Sequence, residues 1–308
     1  MRAKVSVVTA LRALELVKTC AFRPKGPRYD TRSLLKNPVR AIRGGPNGLA
    51  VRYRVRDGSV ELSIFACGQT SADDVARAVE AARGLAALDD DPSEFVALAL
   101  RDPCLKSLVR RFDTRLPRTP TVFEAYAEAV LGQLVTSYEA RVSARRLWAH
   151  AGERIEGTPF RAAPTAKAVL GVPAWRLHTM GIGSRRIAAL REGAKRGAAL
   201  ERLRDVTPDV AVEKMQSLRG IGPWTANLVA QKALAWADAV PVGDLHAPYV
   251  ITEALTGERG GDEEMLAALE PYRPHRARVA ALFMNAGIVS RDRPLPRVDA
   301  HRREPWKY

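Results

Sequence analysis

The chain has 308 residues, with 49 Lys and Arg against 34 Asp and Glu, a formal net charge of +15 and a pI near 10.2. That length predicts two or three domains with real cores, and no window holds the long charge-free apolar run of a membrane span. The charge predicts a polyanionic partner, nucleic acid being the commonest, although an Arg-rich composition from a high-GC proteome produces the same excess without a partner.

In chain order, "VSVVTALRALELV" (5–17) is interrupted by Arg12 and Glu15 and lacks a small-residue cleavage pattern, so it reads as mature structure, not a signal peptide. Pro24, Pro27, Pro38, Gly44, Gly45 and Gly48 punctuate loops. "GLAVRYRVRDGSVELSIFACG" (48–68) alternates apolar and polar residues around Asp57-Gly58, a hairpin signal. A helix capped by Ser71 follows and is expected to pack on that sheet. From about residue 90 onward almost every segment carries helical periodicity, including one continuous stretch from Thr121 to Ala151. The last stretch, 291–308, has little periodicity and reads as a basic tail or surface strap.

"LRGIGPWTAN" (218–227) reads as helix, tight turn, helix. Glycines at 220 and 222 permit positive φ and close backbone approach. Ile221 plugs the hairpin, and Pro223 suits the first helical position. The N–H groups of the turn then face outward, where a phosphate can accept them without sequence being read. An ordinary αα-hairpin with packing glycines explains the same residues. A second turn, Gly181-Ile182-Gly183, followed by Arg185 and Arg186, shows that the tripeptide alone is weak evidence. What sharpens the first hairpin is Asp244, presented by the loop "ADAVPVGD" at the expected start of the helix "LHAPYVITEAL". Asp is also a favoured helix cap, so capping is the bland explanation.

With these residues in place, the chain resembles the helix-hairpin-helix (HhH-GPD) DNA glycosylases, and within them the 3-methyladenine DNA glycosylase II group. "FEAYAEAVLGQLVTSYEARVSARRL" (123–147) looks like that group's helix carrying a Gly-Gln-Leu-Val-Ser/Thr motif, and "LRGIGPWTAN" like its hairpin. The resemblance covers roughly residues 85–290. It implies an α+β fold, an N-terminal α/β domain with an antiparallel sheet (1–88) followed by two mainly α-helical lobes. One lobe, 119–234, carries the wedge helix and the hairpin. The other, 89–118 plus 235–308, carries the catalytic aspartate.

The resemblance also implies roles. Leu134 is the wedge that fills the gap left by a flipped base, with Gln133 beside it at the DNA interface; read without the family, Leu134 is a core residue of an amphipathic helix. Asp244 is the catalytic carboxylate, stabilising positive charge on the sugar and orienting or activating water. Arg219, Gly220, Ile221, Gly222 and Thr225 grip the DNA backbone, and the carbonyls of Gln216, Leu218 and Ile221 are candidates for a structural Na⁺ or K⁺. No other metal or cofactor is implied. Arg141, Arg145, Arg146, Arg185 and Arg186 are candidates for phosphate contacts.

Trp224 occupies the place where bifunctional relatives carry a Schiff-base lysine, which implies hydrolysis without a lyase step. Together with Leu228 and Met284 it implies the base pocket. Leu228 and Met284 replace aromatic residues, leaving the accepted lesions open, with N3- and N7-alkylpurines the best fit. His246 is either a general acid for neutral lesions or a structural residue.

The cysteines, Cys20, Cys67 and Cys104, are scattered and none follows 104, which excludes the four-cysteine iron–sulfur loop of the endonuclease III branch and fits a reducing cytosol. The expected partner is double-stranded DNA with damaged bases, the expected location the cytoplasm, associated with the nucleoid when bound, and the expected state a monomer. The rival reading is a non-catalytic helix-hairpin-helix protein that binds damaged or bent DNA.

Overall fold

The computed structural model describes residues 14–24, 39–42, 48–156 and 158–286. Most of the signal-peptide question at 5–17, the loops around Pro27 and Gly44, and the basic tail lie outside these residues.

At Asp57-Gly58 both residues take positive φ, 49° and 72°, the backbone that a tight hairpin turn between twisted strands requires. It joins β3 (Leu49–Arg56) to β4 (Ser59–Ala66), flanked by β2 (Val39–Ile42) and β1 (Glu15–Phe22) in an antiparallel sheet of order β1-β4-β3-β2. The alternation in β3 turns Leu49, Val51 and Tyr53 toward α1 (Ala72–Leu85), where Ala78 and Ala82 complete a small core. Ser71 caps α1 by accepting from the Asp74 N–H. The opposite sheet face packs Ala50 and Phe65 on Ile155.

The remaining elements are helical: α2 (Ser93–Ala99), α3 (Lys106–Val109), α4 (Val122–Leu131), α5 (Ser137–Ala151), α6 (Ala166–Leu170), α7 (Ala174–Thr179), α8 (Ser184–Lys195), α9 (Gly197–Glu201), α10 (Pro208–Gln216), α11 (Pro223–Leu234), α12 (Ala247–Thr256), α13 (Asp262–Leu269) and α14 (Arg276–Ala286). They build two cores. One gathers apolar side chains of α4 through α11 around Tyr126, Leu131 and Leu190. The other joins Phe95, Leu105 and Leu108 to Ile251, Met265, Leu269 and Phe283, so residues before the first helical core pack with residues after it.

Two details test the packing. In the first core the Tyr126 hydroxyl donates to the Ala189 carbonyl at 2.8 Å, and its ring covers Gly193 so closely that any Cβ there would overlap the ring. Gly193→Ala is expected to lower stability by about 2 kcal/mol or more, the size of an overpacked core site, read as a lowered urea midpoint. In the second core His275 is buried against Phe95, with its Nε2 3.7 Å from Glu94.

Burial, then the Arg278 charge, lowers the His275 pKa, while Glu94 and Asp238 act in the opposite direction. The folded state therefore keeps this imidazole neutral at pH values where the unfolded chain, titrating near pH 6.5, takes up a proton. Stability from this site is expected to fall as pH drops from neutral through 6.5 toward the lower folded pKa. His275→Gln should flatten that part of the stability profile, measured by urea unfolding between pH 7 and pH 5.

Candidate active site

The expected continuous helix from Thr121 to Ala151 is broken. Gly132 ends α4, and Thr136 starts α5 with a capping box in which Thr136 accepts from the Glu139 N–H and Glu139 accepts from the Thr136 N–H. The Thr-Ser-Tyr-Glu pattern at 136–139 is the sequence signal for this start. Between the helices, Gly132 to Val135 form a loop, and Leu134 sits on it at φ 53° with its side chain 87% exposed. A left-handed backbone is costly for a leucine, and so is an apolar side chain left in water. Leu134 is therefore not part of the core, and the loop holds it outward.

Gln133, beside Leu134, anchors this loop. Its side-chain amide donates to the Gly220 carbonyl at 3.0 Å and to the Thr225 hydroxyl at 2.9 Å, tying the Leu134 loop to the hairpin. In the hairpin between α10 and α11, Gly220 has φ 85° and Ile221 is buried. Arg219 and Gly222 are exposed, and open space surrounds Gly222 where a side chain would stand. The turn closes through the Ile221 N–H, which donates to the Leu218 carbonyl at 3.1 Å. Thr225 is only 2% exposed and its hydroxyl is engaged by Gln133. Its side chain thus joins two loops, leaving only its main-chain N–H for a backbone grip.

Trp224, in the first turn of α11, is half-buried and touches both neighbouring loops. Its ring lies against Gly132 of the Leu134 loop, and its indole Nε1 donates to Asp244 Oδ2 at 2.8 Å. The other carboxylate oxygen accepts from the His246 and Ala247 N–H groups, each at 2.9 Å. Asp244 therefore lies three residues before α12 and caps it from the loop; it does not occupy the helix itself. Capping does not bury the carboxylate fully: the residue is half-buried with both oxygens fixed.

The loop that delivers Asp244 is braced on both sides. Gly243, at φ 87°, donates its N–H to the Asp262 carboxylate at 3.0 and 3.1 Å. Upstream, the buried Asp238 carboxylate receives Arg276 at 2.8 and 2.7 Å and Arg273 at 3.0 Å. Sequence reading missed this brace, because its partners are separated by more than thirty residues. His246 is half-buried, and its Nδ1 is buried without a hydrogen-bond partner. Leu228, one turn after Trp224, packs partly on the first helical core. Met284, on α14, is 43% exposed and does not belong to the second core beside it. At the second Gly-Ile-Gly turn, Arg186 donates to the Leu131 and Gly181 carbonyls, so its guanidinium is occupied.

An exposed apolar residue on a strained loop, a glycine hairpin tied to it by one glutamine, and a fixed carboxylate reached through one tryptophan form a single assembly. The architecture matches a 3-methyladenine DNA-glycosylase from Archaeoglobus fulgidus, with a TM-score of 0.72 and 22% identity over 88% of this chain and 99% of that one. In sequence, a DNA-3-methyladenine glycosylase of Bacillus subtilis is 30% identical over 51% of this chain and 54% of the relative. Over that shared part, the chain is similar to DNA-3-methyladenine glycosylases. DNA-3-methyladenine glycosylase 2 of Escherichia coli is 33% identical over 46% of this chain and 50% of its own length. The chain thus spans about half the length of the curated relatives it matches. No family model matches the chain. Among the described residues, no helix is long and apolar enough to cross a membrane.

Proposed function

We propose that this chain is a helix-hairpin-helix DNA glycosylase that removes alkylated purines, N3- and N7-alkylated ones first, from duplex DNA by hydrolysis of the N-glycosidic bond. The observation that carries the reading is the Trp224–Asp244 hydrogen bond beside the Gln133-anchored wedge loop. A protein carboxylate reaches a glycosidic bond in duplex DNA only after the nucleotide leaves the stack. Leu134 would fill the vacated space, and the outward N–H groups of the hairpin would hold the backbone.

As the base departs, positive charge builds on the sugar, and Asp244 stabilises it and directs a water to the anomeric carbon. An alkylated purine already carries positive charge, so its bond breaks without a strong general acid, and an aromatic wall suits a cationic base. The residue at position 224 is tryptophan, with no amine to form a Schiff base, which supports a monofunctional enzyme. The hairpin carbonyls of Gln216, Leu218 and Ile221 are the proposed holders of a monovalent cation, which would supply positive charge at the hairpin.

The test is single-turnover release of bases from duplex DNA treated with a methylating agent, with borohydride trapping alongside. Released 3-methyladenine or 7-methylguanine, with intact abasic strands and no trapped adduct, is the expected result. Duplex binding with no base released from any methylated substrate would leave the non-catalytic damage binder. A borohydride-trapped adduct would overturn the monofunctional assignment.

A further inference from the structure

Helix α5 starts at the wedge loop and runs for 15 residues toward the N-terminal domain. At 1.5 Å per residue that is about 22 Å. Its inward stripe holds the buried Ser143 and Leu147. Tyr138, which is 70% exposed, and the exposed Arg141 and Arg145 lie three and seven residues apart on the opposite stripe.

Past the end of α5, Arg154 and Arg161 face each other across a short β-bridge, both exposed. Arg161 is steadied by donating to the Gly152 carbonyl at 2.9 Å. Ile155, next to Arg154, packs on Ala50 and Phe65 of the sheet.

Along β3 on that same sheet face, two residues at a time from Ala50, follow Arg52, Arg54 and Arg56. Arg52 stacks over Phe65 at 5.0 Å, and its pKa is lowered by burial and then by the Arg54 charge, against Glu61. Arg54 and Arg56 are exposed. Among the described residues, Arg54, Arg56, Arg141, Arg145 and Arg154 form no ion pair, and Glu61 is the carboxylate directly opposite Arg54 in the ladder. Scattered surface arginines are ordinarily just solvated. A line of them that begins at the wedge, crosses between domains and repels itself where it reaches the sheet calls for an external counter-charge.

We propose that these arginines form one phosphate-binding track that carries the duplex flank on one side of the lesion from the wedge loop to the outer half of the N-terminal sheet. The inference rests on the DNA reading of the site. At about 3.4 Å per nucleotide of one strand, α5 alone is long enough to follow about six phosphates.

The test is equilibrium binding of the full chain to a long labelled duplex with a central abasic-site analogue, repeated from low to moderate KCl. Arg54→Ser with Arg56→Ser changes only exposed strand positions, and thermal unfolding verifies that the variant folds. Two lost phosphate contacts should reduce the slope of log K against log [KCl] by about 1.8. Arg54→Lys with Arg56→Lys should restore the slope. Trimming the duplex on one side alone should cost wild type that same increment and cost the Ser variant nothing further. A Ser variant with the wild-type slope overturns the track while leaving the glycosylase reading standing. A wild-type chain that binds neither the abasic nor an undamaged duplex overturns both.

Discussion

Asp244→Asn is expected to abolish base release, by about a hundredfold or more, while duplex binding persists. The magnitude is that of removing one preorganised charge from a site where charge develops in the transition state. The substitution also has a structural signature, because the carboxylate accepts three N–H groups. Its Oδ1 receives the His246 and Ala247 amides, and its Oδ2 receives Trp224. Asparagine has one acceptor oxygen, so keeping the helix cap sets its NH₂ against the indole N–H. A donor left facing a donor costs about 1–3 kcal/mol. Asp244→Asn should therefore destabilise the protein in the wild-type background and do so less when Trp224→Phe has removed the opposing N–H. A double-mutant cycle on urea midpoints measures that coupling. If stability is unchanged by Asp244→Asn in both backgrounds, the Trp224–Asp244 hydrogen bond contributes nothing in solution.

Leu134→Gly is expected to lower activity without lowering stability. The side chain is 87% exposed and contributes little burial, whereas its φ of 53° is strained for leucine and free for glycine. Relief of that strain, offset by the greater freedom of glycine in the unfolded chain, should leave stability equal to wild type or raised by up to about 1 kcal/mol. Base release from duplex substrate should fall at least about tenfold, because nothing then fills the space left by the extruded nucleotide. Release from single-stranded substrate should be much less affected, since no stack has to be held open. A stability loss above about 2 kcal/mol would mean that Leu134 packs into the protein. An equal loss of activity on both substrates would mean that it acts other than as a wedge.

The two variants separate what each residue type implies on its own from what its surroundings impose. Leu134 read in isolation belongs to a helix face, because its neighbours on both sides keep helical periodicity. The break came from Gly132 and the Thr136–Glu139 capping box, both visible in the sequence but outweighed by the apolar spacing around them. The sequence offers Gln133 and Thr225 only as separate candidates for a DNA interface, whereas their hydrogen bond to one another joins residues 92 apart in the chain. No local pattern encodes such a pair.

By itself the sequence determined the elements whose causes are local. The Asp57-Gly58 turn, the Ser71 cap, the Gly220–Pro223 hairpin and the loop before Asp244 each follow from backbone preferences and short-range hydrogen bonds. Tertiary structure alone decided how those pieces meet. It placed Trp224 on Asp244, braced the aspartate loop through Asp262 and through Asp238 with Arg276, and joined residues near 100 to residues near 280 in one core. Such contacts depend on the packing of distant helices, where each side chain's partner is fixed by the whole fold and leaves no periodic trace along the chain.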